Sequence, residues 1–542
     1  LFFDDYQEYM TIDKGWSENL FTRSIDRDTT QILNRLMDPK TAGRWNRKGM
    51  VVGNVQSGKT GNYTGLISKS IDAGYKIIIV LAGLHNSLRL QTQQRLDKEL
   101  VGFDTGTDDN TNRKTRIGVG TKRNHLDDKA IIYWNTYADP SKGDFTIANA
   151  YQGIQINQSM PPIILTVKKN KYILENVIKW LKMRGLEDDK EIIDNIPLLL
   201  IDDECDNASV NTKPRKKNNK KKDDDGIDAT AINRCIRELL NLFGQRGYVG
   251  YTATPYANML IPRDNKELQE IAKDLFPSNF IIQLEAPENY IGPKEIFGLK
   301  DIKELDQEKF DAFPLVRTDI VDRDYETFIE DGHKADYVIP SDLPESLKEA
   351  LHCFILSCAA RIERNQSKEH SSMLIHVTRF VDVQQQVFEL VDEYLVDLRS
   401  QIRNGDRYVF NMLKKIWNDE FVEKSKEMEK MGFGLMHSFD DIRSHLVAVM
   451  ENIGVPLRIN GEAGDILEYD IASKKGRGIT VIAIGGDKLS RGLTLEGLTI
   501  SYYLRSSRMY DTLLQMGRWF GYKDGYLDLC RIFTTGDLSR WY

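Results

Sequence analysis

Apolar positions along the chain alternate between two rhythms. Short, nearly continuous apolar runs bounded by Gly, Pro or acidic residues predict buried strands. They fall at Met50–Val52, Lys76–Ala82, Ile163–Val167, Pro197–Ile201, Tyr248–Thr252, Met373–Val377, Pro456–Ile459, Gly478–Ile484, Leu498–Tyr503 and Leu529–Phe533. Between them, helical spacing predicts Thr29–Met37 (Ile32, Leu33 and Leu36 inward, Pro39 ending it) and Thr60–Ala73 (Leu66, Ile67 and Ile71 inward, Gly74 as cap). Further helices are expected over Ser87–Leu100, from Asn170 to about Met183, and over Gln384–Ile402, whose Val387, Leu390, Val391, Tyr394, Leu398 and Ile402 share a face. A largely helical stretch continues to about Met450, and its Trp417 and Phe421 read as core. Strand–helix alternation of this kind implies a doubly wound α/β fold with parallel sheets. Functional loops then belong at the carboxyl ends of the strands.

The pattern divides the chain into an N-terminal segment (1–49), a first α/β domain (50–262), an acidic, proline-punctuated connector or insertion (263–350) and a second α/β domain (351–542) with a helical insertion at about 384–452. The run Lys213 to Asp225 has no apolar residue and reads as a surface loop that also offers a nucleic-acid contact.

Composition narrows the picture. The 542 residues suffice for two to four domains, and 41% hydrophobic with 29% charged residues is ordinarily globular. A net charge of −7 gives no overall nucleic-acid footprint, so any such binding needs a local patch. No apolar run has transmembrane length and no signal peptide opens the chain, so no membrane partner is expected. Five scattered cysteines argue against a disulfide framework and for a reducing, cytoplasmic setting, and none has zinc-ligand spacing. The chain opens on Leu1 and stops after Tyr542, which reads as a piece of a longer protein.

The most specific chemistry lies in Met50 to Asn62, MVVGNVQSGKTGN, a strand, a glycine-containing loop and a helix start that match the phosphate-loop pattern G-x-x-x-x-G-K-[ST]. Backbone N–H groups of such a loop point at phosphate oxygens. Gly53, Gln56, Ser57, Gly58, Gly61 and Asn62 are assigned to ATP, with Lys59 on the β- and γ-phosphates and the Thr60 hydroxyl on Mg2+. An ATPase also needs a carboxylate on magnesium and a group to activate water. The strand Pro197–Ile201 runs into Asp202-Asp203-Glu204-Cys205-Asp206. Asp203 is assigned to the metal, Glu204 to the attacking water, and Asp206 to coupling with neighbouring loops.

Asp203-Glu204-Cys205-Asp206 resembles the DExD box of superfamily-two helicases, and Thr252-Ala253-Thr254 their S/T-A-T coupling motif. Gly486 to Thr494 (GDKLSRGLT) resembles their fifth motif and Gln515 to Tyr522 (QMGRWFGY) their sixth. The runs GNVQSGKT, IIVLAGLHNSLRLQTQ, GYTATPYAN, GGDKLSRGLTLEGL and DTLLQMGRWFGY together resemble the Z-one domain family, whose members neighbour prokaryotic restriction and phage-defence genes. The resemblance spans about residues 25–542. It implies two RecA-like domains with ATP in the cleft between them, Arg518 and Arg491 reaching the γ-phosphate, and Thr252, Thr254 and Gln515 coupling the loops. Nucleic-acid contacts are expected from loops after strands: Arg89 and Gln91, Lys168, Lys169 and Asn170, and Arg379. The implied activity is an ATP-driven nucleic-acid (DNA) translocase of a restriction or anti-phage system, with a partner nuclease or methyltransferase. The alternative is an ATP-gated switch that licenses a partner nuclease without moving.

Two departures stand out. Gln515 and Gly517-Arg518 are one residue closer than the helicase pattern, and where that pattern has a second arginine the chain has Tyr522 followed by Lys523. Nor does any stretch read as a nuclease centre.

Overall fold

The computed structural model describes residues 1–106, 115–122, 132–134, 136–139, 142–148, 155–187, 189–207, 209, 229–259, 275–287, 289–301, 303, 308–429, 432–434, 437–459, 478–486, 495–505 and 510–542. The charge run 213–225, most of the fifth motif (487–494) and with it Arg491 lie outside these residues. The chain forms two compact units, Leu1–Pro287 and Glu288–Tyr542.

The first unit is built on a parallel sheet of β1 (Trp45–Val52), β2 (Ile77–Ala82), β3 (Tyr133–Trp134), β4 (Ile163–Val167), β5 (Leu198–Asp203), β6 (Gln245–Thr252) and β7 (Phe280–Gln283), in the order β3-β4-β2-β5-β6-β1-β7. Ile77–Ala82 is buried on both faces, which is why the run alternates with nothing polar. The register places Val52 beside Thr252 and Asp203 beside Tyr251. The phosphate loop, the acidic loop and the TAT turn therefore leave the same edge of three adjacent strands, and the loops after β2 and β4 lie next along that edge.

Helices cover both faces. They include α1 (Phe2–Glu8), α2 (Glu18–Phe21), α3 (Arg27–Leu33), α4 (Lys59–Ala73), α5 (Asn86–Leu96), α6 (Lys171–Gly185), α7 (Ala229–Asn241) and α8 (Tyr256–Met259). The N-terminal segment is more ordered than the one helix its sequence suggests. α1 to α3 are joined by π turns at Tyr9–Asp13 and Thr22–Asp26, and Tyr6, Tyr9, Met10, Phe21 and Ile25 form a small separate core together with Val119. Each π turn shifts the phase of the apolar positions, so no single 3.6 period runs through them. This layer packs on α4. Asp72 accepts from the backbone of Phe2 and Phe3 at 3.0 Å each, and Tyr6 donates to the Gly61 carbonyl at 2.9 Å. A Cβ on Gly65 would meet Ile25 at 2.8 Å, so the helix needs glycine there to admit the layer. β1 likewise begins earlier than its apolar residues, because Asn46, Arg47 and Lys48 still pair with β6.

The second unit holds β8 (Tyr290–Ile291), β9 (Val316–Arg317), β10 (Ser371–His376), β11 (Leu457–Ile459), β12 (Thr480–Gly485), β13 (Leu498–Tyr503), β14 (Gly521–Tyr522) and β15 (Arg531–Thr534). Six of these form a parallel sheet, β11-β12-β10-β13-β15-β9, and β14 pairs with β8. The helix Glu345–Glu363 is its most buried, and the helix Val381–Arg403 leads into a helical run reaching Asn452. Trp417 and Phe421 stack at 5.0 Å inside this run and belong to the core, as the sequence implied. All five cysteines are free and buried. Among the described residues no helix is long and apolar enough to cross a membrane.

Candidate functional site

The phosphate loop is shaped by two left-handed residues. Gly58, at the N-cap of α4, has φ of 88°, and a Cβ there would meet nothing within 4 Å. Gln56 has φ of 57°, a conformation that a residue with a Cβ holds only when its surroundings impose it. Gly53 is fixed to the neighbouring strand, its N–H donating to the Thr252 carbonyl at 3.0 Å. The Ser57 hydroxyl and the Lys59 ammonium both donate to the Asn54 carbonyl at 2.8 Å, and Lys59 also reaches the Gly53 carbonyl at 3.4 Å. The lysine thus lies folded over its own loop.

Asn62, expected at the nucleotide, turns its side chain elsewhere. The Asn62 side chain is buried and accepts from the Tyr251 hydroxyl at 2.9 Å, and its N–H closes the first helical turn onto Gly58. Gly61 makes room for Tyr6 and Arg95, which a Cβ would approach to 3.3 and 3.2 Å. The Asn62 side chain is thus committed to β6, while the Gly61 assignment, which concerns its backbone N–H, stays an expectation. Thr60 remains half-buried at the start of the helix.

The acidic loop meets this helix. Tyr63, one turn into α4, donates to the Asp203 carboxylate at 3.4 Å, and its ring lies edge-on to Tyr251. Burial, reinforced by the Glu204 charge and opposed by Lys59 and Lys169, raises the Asp203 carboxyl to about 6. Glu204 has φ of 54°. Asp206 accepts from the Thr252 hydroxyl at 2.7 Å and from the Thr254 hydroxyl at 2.8 Å, so the acidic loop and the TAT turn are joined side chain to side chain. Cys205 fills the floor beneath, where a Cβ on Gly250 would come within 2.7 Å of its sulfur.

The expected nucleic-acid contacts divide. Arg89 is a correction: it is buried and spends its guanidinium on the carbonyls of Tyr137, Asp139 and Gly143, bracing a loop. Lys169 is another. It is buried against Asp202 at 2.7 Å and cannot meet a ligand at the surface. The Asn170 side chain caps α6 through the N–H groups of Tyr172 and Ile173. Lys168 is half-buried with its ammonium on Asn86, and Gln91 is half-buried on α5. Arg379 alone of the set is exposed, lying over Phe380 after β10.

In the second unit Gln515 lies in the last turn of the helix Tyr510–Met516, and Arg518 stands half-buried in the turn that follows. Trp519 and Phe520 are buried; Phe520 packs on Gly517, where a Cβ would fall 2.1 Å from the ring. Lys523 does not take the place of the missing second arginine. It is buried and donates to the Leu498 carbonyl at 2.8 Å. Sequence reasoning missed Tyr63, Tyr251, Asp202 and Tyr248 as supports of the site. Their only signal was polar residues inside buried runs.

Two doubly wound parallel units, the first with the G-x-x-x-x-G-K-T loop after β1 and an acidic loop after β5, define a RecA-like fold. The Z1 (Z-one) domain family model matches residues 346–542, a span that includes Gln515 and Gly517-Arg518. A variant of S. cerevisiae Dbp5 bound to RNA and ADP–BeF3 is similar at 10% identity and a TM-score of 0.38, over 99% of this chain and 90% of that one. The helicase MrfA bound to DNA and AMPPNP is similar at 11% identity and a TM-score of 0.42 over 98% of this chain, which spans only 50% of MrfA. The Pyrococcus furiosus Hef helicase domain is similar at 10% identity and a TM-score of 0.31, over 94% of this chain and 96% of that domain. No curated protein sequence matches the chain.

Proposed function

We propose that the chain binds ATP with magnesium at the first unit and hydrolyses it to move along nucleic acid, specifically DNA, within a prokaryotic restriction or anti-phage system, acting with a partner nuclease or methyltransferase. One observation carries the reading. The phosphate-loop helix, the acidic loop and the TAT turn are hydrogen-bonded into one unit through Tyr63–Asp203 and Asp206–Thr252/Thr254.

The residues fit the ligand. The loop is open where a Cβ on Gly58 would stand, and Lys59 rests on two carbonyls that it can exchange for phosphate oxygens. Asp203 stands at the end of β5 with its carboxylate 3.4 Å from the Tyr63 hydroxyl of α4. Thr60 and Asp203 would hold magnesium, which supplies charge neutralisation at the phosphates. Lys59 binds the phosphates, and Glu204 orients water and takes its proton. For Arg518 we propose the stabilisation of charge developing on the transferred group. The same role for Arg491 rests on sequence alone. Lys168, Gln91 and Arg379 remain the nucleic-acid contacts of this reading.

The test is ATP turnover measured against single- and double-stranded DNA and RNA of graded length. The expected result is turnover that rises several-fold with DNA length. Lys59→Ala should lose nucleotide binding, and Glu204→Gln should keep binding while losing turnover. Wild-type turnover in Glu204→Gln would refute the assignment of the base. Turnover indifferent to every nucleic acid would sink the translocase and favour the ATP-gated switch.

A further inference from the structure

Lys169 stands two residues past the end of β4, beneath the acidic loop. Its ammonium, which has three N–H groups, forms an ion pair with Asp202 Oδ1 at 2.7 Å and donates to the Glu204 carbonyl at 2.6 Å and the Asn207 carbonyl at 3.2 Å. Asp202, fully buried, is completed by the Tyr248 hydroxyl at 2.7 Å. An ion pair serving only to stabilise the core would need no bond to the loop, yet two of the three N–H groups go to its backbone. Those bonds bracket the turn from 204 to 207. The Glu204 carbonyl also accepts from the Asn207 N–H at 2.9 Å, and the Glu204 N–H donates to Asp203 Oδ1 at 3.1 Å. Both backbone groups of Glu204 are thereby held, and its left-handed conformation is one that persists only when surroundings over-determine it.

We propose that Lys169 is the positioning residue for Glu204 and the link between that residue and the β4–α6 loop. The inference rests on Glu204 acting as the base. The loop has one end under Glu204 and the other at the surface. Next to Lys169 stand the half-buried Lys168 and the cap Asn170, followed by Tyr172, whose ring is 70% exposed. The Lys169 N–H also donates to the Gly83 carbonyl at 2.7 Å, tying the loop to the end of β2. A strand of nucleic acid gripping Lys168 and Tyr172 would act on Glu204 through one buried ammonium.

The test pairs Lys169→Met with Asp202→Asn, which removes both charges together and leaves none buried alone. In the full chain the double variant should keep its ATP dissociation constant within about 2-fold and its unfolding midpoint, while kcat falls at least about 10-fold, as displaced catalytic groups do. Amide hydrogen exchange at Cys205 and Asn207 should quicken about 10-fold. Wild-type kcat, or unchanged exchange, in that variant would overturn the proposal. If the unaltered chain shows no turnover at all, the ATPase reading fails by itself and the exchange measurement decides the role of Lys169.

Discussion

Replacing Asp206 by alanine removes the two hydroxyl–carboxylate bonds that join the acidic loop to the TAT turn. Thr252 and Thr254 are 1% and 0% exposed, so their hydroxyls lose their acceptor where water reaches poorly. A hydrogen bond to a charged group contributes about 1.5–3 kcal/mol. Asp206 itself is half-exposed, and the Thr252 oxygen still accepts from the Thr254 N–H at 2.9 Å, so the lower end applies. Asp206→Ala should therefore cost about 2–4 kcal/mol and the near-isosteric Thr254→Val about 1–2 kcal/mol. Because the two share one bond, the double variant should fall short of the sum by about 1 kcal/mol. Hydrogen exchange of β6 amides in increasing urea reads this locally in the first unit. Nucleic-acid-stimulated turnover should fall in both single variants while basal turnover survives. Additive costs, with a coupling below about 0.3 kcal/mol, would refute the joint between the loops.

Arg518→Ala should abolish turnover at near-normal ATP affinity in a steady-state and binding comparison; a large affinity loss would instead make it a ground-state ligand. Gly49→Ala should lower the thermal unfolding midpoint, since the new methyl would lie 2.0 Å from the Phe280 ring, at a cost of about 1–3 kcal/mol. Pairing it with Phe280→Leu should recover much of that loss, and a neutral Gly49→Ala would contradict the packing of β7 on β1. Burial raises the Asp97 carboxyl to about 7 despite bonds from Thr105 and Gln93. Its protonated form is the one the fold favours, so its stability contribution is complete below the ordinary carboxylate pKa and is lost as pH rises through about 7. First-unit stability should fall between pH 5 and 8 by at most about 1.4 kcal/mol per pH unit from this group. Asp97→Asn should flatten that slope, and an unchanged slope would refute it.

The sheets were legible because their central strands are buried on both faces and leave unbroken apolar runs, as in Ile77–Ala82. The positions of the loops were legible because glycine and acidic residues close the apolar runs at the ends of β1 and β5. What the sequence concealed was burial of charge. Arg89 and Lys169 follow strand ends as surface cations would, and nothing in one dimension announces that carbonyls fold over the first and a carboxylate faces the second. Asn62 misled for a related reason, since a helix residue four positions past the loop can turn to the sheet as readily as to the ligand. The N-terminal helices were hidden by their π turns, which scramble the period that pattern reading needs.

That N-terminal layer makes the phosphate loop vulnerable from a distance. α4 is gripped from behind by α1 through Asp72, Gly61 and Gly65, while residues 12–15 between the two layers of contact are exposed. Lys14 lies in that exposed turn and offers a trypsin site. A single nick there would leave every residue of that loop intact, yet cut the chain between α1 and α2, the layer against which its helix is clamped.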